Sequence, residues 1–194
     1  ISEDNLNFKE KAGKYIDFLN VNAYDKERDV RTNIAGEFQK SNLAAALQTA
    51  ELICGRLDED KIYEALSQIR ISGRMEEIAP GIIVDVSHNI QGMQGFVQTV
   101  EANYHGMKKR ILFAASHQNE EEYMKNILKT IPEIEAFYTV GIHKRRIDEA
   151  EFQDAFRKMI DRNQETTVCF VVGSFYLAGM AKEFINQEEE NVRL

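Results

Sequence analysis

Gly81-Ile-Ile-Val-Asp-Val-Ser-His-Asn-Ile-Gln-Gly92 joins a short apolar strand to a cluster of polar side chains and then to a helix, and its reading decides the fold. Ile82, Ile83 and Val84 form the continuous β-branched run of a strand buried on both faces, as strands of a parallel sheet are. Asp85, His88 and Asn89 begin where that strand leaves the sheet. Ligands of open α/β sheets bind in the crevice beyond the carboxyl ends of the strands, so the segment predicts both an architecture and a place for a site.

Downstream the pattern repeats. Apolar strands over Ile82 to Val86, Arg110 to Ala115, Ala136 to Val140 and Thr167 to Val172 alternate with amphipathic helices over Gln91 to Tyr104, Glu120 to Thr130, Asp148 to Asp161 and Phe175 to Asn186. Such alternation predicts βαβ units around a mostly parallel, Rossmann-like sheet with helices on both faces. A short strand at Met75 to Ile78 adds to one edge, and the tail from Gln187 to Leu194, with Glu188-Glu189-Glu190, reads as solvated and frayed.

Upstream the chain is of another kind. Asn5 to Lys9, Tyr15 to Val21 and Val30 to Ile34 are extended candidates joined by charged turns, too short together to be an independent domain. A helix follows with Ser41 or Asn42 near its start and an apolar face of Leu43, Ala44, Leu47, Ala50 and Leu52. Asp58 is placed to cap the next helix, where Ile62, Leu66 and Ile69 recur at helical spacing. Gly73 then marks a boundary, so a partial α/β segment precedes the repeating domain.

With 24 basic and 32 acidic residues among 194, the net charge of -8 argues against a general nucleic-acid or anionic-membrane surface. The basic spots Lys108-Lys109-Arg110 and Lys144-Arg145-Arg146 read as solvated turns. No apolar run approaches the ~20 residues of a membrane-spanning helix, and no signal-peptide pattern opens the chain, so a cytoplasmic location is expected. Cys54 and Cys169 lie in apolar runs without a His or second Cys at ligand spacing. They read as reduced core residues.

Each polar candidate has a structural and a chemical reading. Asp85 can orient a ribose hydroxyl or a metal-bound water, or cap the following helix. His88 can contact an anion or move a proton, or be satisfied by a backbone carbonyl. At Val171-Val172-Gly173-Ser174-Phe175 a second buried strand turns into a helix; Ser174 can donate to a carboxylate or phosphate, or be a plain N-cap. Arg74 offers a permanently charged phosphate partner, or a surface residue at a linker. The convergence of Asp85, His88 and Asn89 with a helix N-terminus favours an anion site. No Gly-x-x-x-x-Gly-Lys-Ser/Thr stretch and no Gly-rich dinucleotide fingerprint occurs in the sequence.

Five ordered segments, Gly36-Glu-Phe-Gln-Lys-Ser-Asn42, Ser72-Gly-Arg-Met-Glu76, Ile83-Val-Asp-Val-Ser-His-Asn89, Ile111-Leu-Phe-Ala-Ala115 and Val172-Gly-Ser-Phe-Tyr-Leu-Ala-Gly179, resemble folylpolyglutamate synthase. Their order is similar to the end of that enzyme's central domain followed by its whole C-terminal domain, the arrangement shared with the Mur ligases. The resemblance implies residues 1–72 as a remnant of the ATP-binding central ligase domain, 73–187 as the Rossmann-like C-terminal domain and 188–194 as an acidic tail.

It implies an ATP-dependent amide ligase that activates a folate carboxylate as an acyl phosphate and adds L-glutamate. Folate or folylpolyglutamate and L-glutamate are then the substrates, and Mg2+ offsets the phosphate charge with ligands mostly in a missing N-terminal ATPase domain. The parent is expected to be a monomer with no nucleic-acid or membrane partner. By position Asn42 would contact the adenine, Arg74 the ATP phosphates and Asp85 the ribose, with His88 and Ser174 facing the incoming glutamate. The sequence departs from the family at Phe38 (usually His), at Ile90 (usually Pro) and at Ser116-His-Gln-Asn-Glu120 (usually an Asp-Lys-Asp-like segment). These departures leave open a divergent site. This chain alone is expected to be inactive; the alternatives are a non-catalytic nucleotide- or metabolite-binding module and, last, a nicotinamide-dependent oxidoreductase.

Overall fold

The computed structural model describes residues 37–55, 58–68, 71–144, 146–161 and 166–192. The chain divides into two compact units, Ile1–Arg70 and Ile71–Leu194. The strand candidates before residue 35 lie outside the described residues.

In the first unit α1 (Glu37–Cys54) is followed by α2 (Glu59–Gln68). The helix expected to start near Ser41 already runs at Glu37, so Ser41 and Asn42 lie in its interior, where such residues cost only a few tenths of a kcal/mol. Leu47 is buried, whereas Leu52 is 69% exposed: at 3.6 residues per turn it sits about 140° around the helix from Leu47. Cys54, at the last position of α1, is exposed, not a core residue. Asp58 caps α2 as expected, accepting from the Lys61 N–H at 3.3 Å.

The second unit holds β1 (Glu76–Ala79), β2 (Ile82–Asp85), α3 (Ile90–Asn103), β3 (Lys108–Phe113), α4 (Glu121–Leu128), β4 (Ile134–Thr139), β5 (Ile142–His143), β6 (Arg146–Ile147), α5 (Glu149–Ile160), β7 (Thr167–Val172) and α6 (Phe175–Val192). The main sheet has the order β1-β2-β7-β3-β4, with β1 antiparallel and the others parallel. The chain therefore passes from β2 beyond β7 to β3 and β4, then returns to insert β7 at the centre.

That order explains the composition of the strands. β2 and β7 are buried along their whole length and are apolar on both faces; the edge strands β1 and β4 are only partly covered. Ile83, Ile111, Phe113 and Phe170 point to the face covered by Met93, Phe96 and Val100 of α3 and Met124 and Leu128 of α4. Val84, Leu112 and Val171 point to the opposite face, covered by Phe152 and Phe156 of α5 and Leu177 and Phe184 of α6. Phe96 meets Phe170 edge to face at 5.5 Å. Burying one such side chain contributes about 2 kcal/mol.

Two local expectations need correction, and one element was not foreseen. Lys108-Lys109-Arg110 is not a solvated turn but the start of β3, and Lys109 is fully buried and paired with Glu133 at 3.0 Å. The acidic tail is not frayed at Gln187: α6 continues to Val192, supported by an Arg157–Glu188 ion pair at 3.4 Å. The β5–β6 hairpin was not foreseen, because two-residue strands carry no period; Lys144 takes a left-handed φ of 48° at its turn.

Candidate active site

β2 and β7 are adjacent and parallel, with Asp85 opposite Val172, so their chain ends leave the sheet side by side. β2 then feeds α3 on one face and β7 feeds α6 on the other. Diverging connections of this kind open a crevice at the carboxyl edge. β3 borders β7 on the other side, with Phe113 opposite Val172, and brings Ala114 to Ser116 to the same edge.

Asp85 is 1% exposed and organises the strand end. Its Oδ1 accepts from the Ser87 N–H at 2.8 Å and the Ser87 hydroxyl at 2.5 Å, and its Oδ2 accepts from the Met75 N–H at 3.0 Å. It does not cap α3. Asn89 does, accepting from the Gly92 N–H at 2.7 Å, and the helix starts at Ile90 without the family's proline.

His88 is half-buried at the same edge. Its Nδ1 lies 3.0 Å from the Val86 carbonyl, which only accepts, so Nδ1 carries the hydrogen and Nε2 is left as the other ring atom for a ligand. Its ring packs against Phe175 at 5.4 Å, and Phe175 itself is 58% exposed. His88 and the start of α6 are thus in direct contact.

On β7's side, Gly173 has φ +107°, and a Cβ there would lie 2.6 Å from the Ala114 carbonyl oxygen and from the Phe113 ring. Only glycine lets the chain turn this tightly against β3. The Ser116 hydroxyl closes the same turn, donating to the Gly173 carbonyl at 3.3 Å. Ser174 is buried and its Oγ accepts from the Tyr176 N–H at 3.0 Å, an N-cap that leaves the hydroxyl hydrogen for another acceptor.

The loop carrying Arg74 is fastened to the same strand end on both sides. The Val86 N–H donates to the Gly73 carbonyl at 2.8 Å, and Met75 is held by Asp85. A Cβ on Gly73 would fall 2.7 Å from a Val86 methyl carbon. Arg74 is half-buried, and its guanidinium makes no ion pair or hydrogen bond among the described residues. Glu76 accepts from the Gly73 N–H at 2.5 Å and pairs with Lys182 at 2.5 Å. Partial burial raises the Glu76 carboxyl, but the Lys182 ammonium and the Gly73 N–H outweigh it and hold it below 4.5.

The structure thus gathers Asp85, His88 and Ser174, with Arg74's loop, at one edge. Asn42 belongs to the first unit, exposed on α1. Sequence reasoning missed Glu120, whose Oε2 is buried beyond β3 without a hydrogen-bond partner among the described residues. An orphaned acceptor at such a place asks for a donor. Its only trace in the sequence was the departure at Ser116 to Glu120. Among the described residues no group of His, Cys, Asp and Glu is arranged to hold a metal ion, and no helix is long and apolar enough to cross a membrane.

No family model matches the chain. A dihydrofolate synthase/folylpolyglutamate synthase of Bacillus subtilis is 23% identical over 109 residues, covering 53% of this chain and 25% of that protein. The apo form of L. casei folylpolyglutamate synthase superposes with a TM-score of 0.65 at 19% identity, over 81% of this chain and 38% of that one. E. coli FolC in complex with DHPP and ADP gives 0.65 at 17% identity, over 78% and 40%. This chain has the folylpolyglutamate synthase fold.

The folylpolyglutamate synthase of Thermotoga maritima agrees, with a TM-score of 0.59 at 21% identity over 82% of this chain and 41% of that one. The matched part is thus a quarter of the curated relative's length and about two-fifths of the solved chains. The mostly parallel α/β sheet and its likeness to the C-terminal domain of folylpolyglutamate synthase are as the sequence predicted.

Proposed function

We propose that this chain is part of an ATP-dependent amide ligase of the folylpolyglutamate synthase kind, active in the cytoplasm as a monomer on tetrahydrofolate or folylpolyglutamate and L-glutamate. Residues 1–72 are read as the end of the central ATPase domain and 73–187 as the C-terminal domain, which closes over the nucleotide. The observation that carries the reading is the meeting of Asp85, His88, Ser174 and the Arg74 loop at the carboxyl edge. A solved folylpolyglutamate synthase in complex with AMPPCP and folate, 21% identical and with a TM-score of 0.65, supports it.

The residues fit an anionic substrate. Arg74 brings a guanidinium without a counterion among the described residues, and Ser174 and His88 each keep one hydrogen-bonding function after their local bonds are made. In the proposed reaction the terminal phosphoryl of ATP passes to the folate carboxylate with release of ADP. The glutamate amine then attacks the acyl phosphate carbonyl and phosphate departs. Arg74 binds the ATP phosphates and offsets their charge. Asp85 Oδ2, which takes a single donor, keeps a lone pair for a ribose hydroxyl, and Asn42 reads the adenine. Ser174 and His88 orient the glutamate, and Glu120 Oε2 is an acceptor suited to its ammonium. Mg2+ would come with ligands of the N-terminal ATPase domain and would offset the phosphate charge.

The sealing of Asp85 at 1% exposure favours one other reading, a nucleotide- or metabolite-binding module without catalysis. ADP release separates them. The purified chain, given ATP, magnesium, tetrahydrofolate and glutamate, is expected to release no ADP, while a version preceded by the central domain with its phosphate loop turns over and loses activity on Arg74→Ala. Turnover by the chain alone that Asp85→Ala abolishes would overturn the fragment reading. An inert longer version would leave the module.

A further inference from the structure

The loop from Ile71 to Met75 is held in an uncommon shape. Gly73 has φ +72° and Met75, which has a side chain, has φ 45°. A non-glycine residue persists there only where its surroundings over-determine it, and such strain gathers at binding sites. The surroundings are explicit. Val86 and Asp85 hold the loop from the strand side, and Glu76 holds the Gly73 N–H from the front.

The last restraint comes from α6. The Lys182 ammonium donates to the Ser72 hydroxyl at 2.6 Å and to Glu76 Oε2 at 2.5 Å. The same carboxylate oxygen therefore receives both Lys182 and the Gly73 N–H, so the side chain of α6 and the turn of the loop are tied at one atom. Lys182 and Glu76 are 26% and 34% exposed, a partly desolvated pair on which a charge matters more than in open water. These contacts are spent on the loop's shape, and among the described residues Arg74 keeps its charge uncommitted. That is how a preorganised anion site is built: the cost of ordering the cationic loop is met before the ligand arrives.

We propose that Lys182 is a positioning residue for phosphate binding, holding the Ser72–Glu76 loop in the form that presents Arg74 to the polyphosphate of a nucleotide. The inference rests on the assignment of Arg74 to ATP phosphates. Lys182 does not itself touch the ligand. It raises the fraction of the protein in the binding-competent loop conformation, and apparent affinity scales with that fraction.

The test is calorimetric titration of the whole chain with inorganic tripolyphosphate and with ATP, alongside amide hydrogen exchange. Lys182→Met is expected to weaken both ligands on the order of tenfold and to speed exchange at the Gly73 and Met75 amides, with the thermal midpoint little changed. Lys182→Arg restores affinity, and Glu76→Gln, which removes the other half of the clamp, repeats the loss. If Arg74→Ala weakens binding while Lys182→Met and Glu76→Gln bind as the unsubstituted chain does, the positioning role is overturned and the Arg74 assignment stands. Binding indifferent to Arg74→Ala, or no binding by the unsubstituted chain, overturns both.

Discussion

Both edges of the main sheet carry charged side chains; those of the amino edge are paired with one another, whereas the carboxyl edge keeps some in reserve beside the committed Asp85 and the Glu76–Lys182 pair. At the amino edge Lys108 and Arg110 both reach Glu135, at 3.5 and 2.9 Å, and Lys109 reaches Glu133. Arg110 also donates to the carbonyls of Met159 and Asp161, closing the end of α5. At the carboxyl edge Arg74 has no counterion among the described residues, Glu120 Oε2 has no donor, and His88 and Ser174 each keep a bonding function in reserve. Charge content does not tell the edges apart. Whether the charges are already spent does, and this is why the site is assigned to the carboxyl edge.

The largest effect separating the edges is expected at the tightest turn. Gly173→Ala forces a Cβ at φ +107° against a carbonyl oxygen and an aromatic ring, which should destabilise by about 3 kcal/mol. Urea unfolding should show the fall, and a stability equal to the unsubstituted chain would mean that the β7–α6 turn is not as close to β3 as described. At the amino edge Glu133→Gln leaves the buried Lys109 ammonium unpaired. With Glu133 about half exposed, the expected loss is about 1–2 kcal/mol. Lys109→Met should be close to neutral, because it removes the buried charge with its need for a partner. Equal losses in the two variants would contradict the reading of this pair as charge neutralisation.

The smallest expected effect is a pH dependence at the carboxyl edge. The folded-state Glu76 carboxyl lies below 4.5, so its contribution is fully present above 4.5 and is lost as pH falls through the folded value. The thermal midpoints of the chain and of Glu76→Gln should therefore differ only slightly near neutral pH and converge in acid. A difference that persists or grows as the pH falls would reverse the sign.

Much of this architecture was legible in the residues, and the failures have physical causes. Thr167 to Val172 was read to the residue because a central parallel strand is apolar on both faces and cannot be mistaken for an amphipathic element. The run Lys108 to Arg110 was misread because charged strand ends resemble turns until their partners on β4 are known. The acidic end of α6 was misread because its support, Arg157, lies on another helix. In the site, Asp85, His88, Asn89 and Ser174 announced themselves by position at strand ends. Lys182 did not, since its partner Glu76 is 106 residues away in the chain and nothing local marks it. Asp85 shows the limit in the other direction: its location was foreseen, but not that its carboxylate would be sealed by Ser87 and Met75.

The most direct test of the central claim is a backbone amide chemical-shift titration of the chain with ATP. Perturbations are expected at 73–75, 85–89, 114–120 and 173–176, the segments of the carboxyl edge, with 108–110 and 133–135 unchanged. Shifts centred on the amino edge, or spread evenly over the sheet, would contradict the assignment of the site to the carboxyl edge.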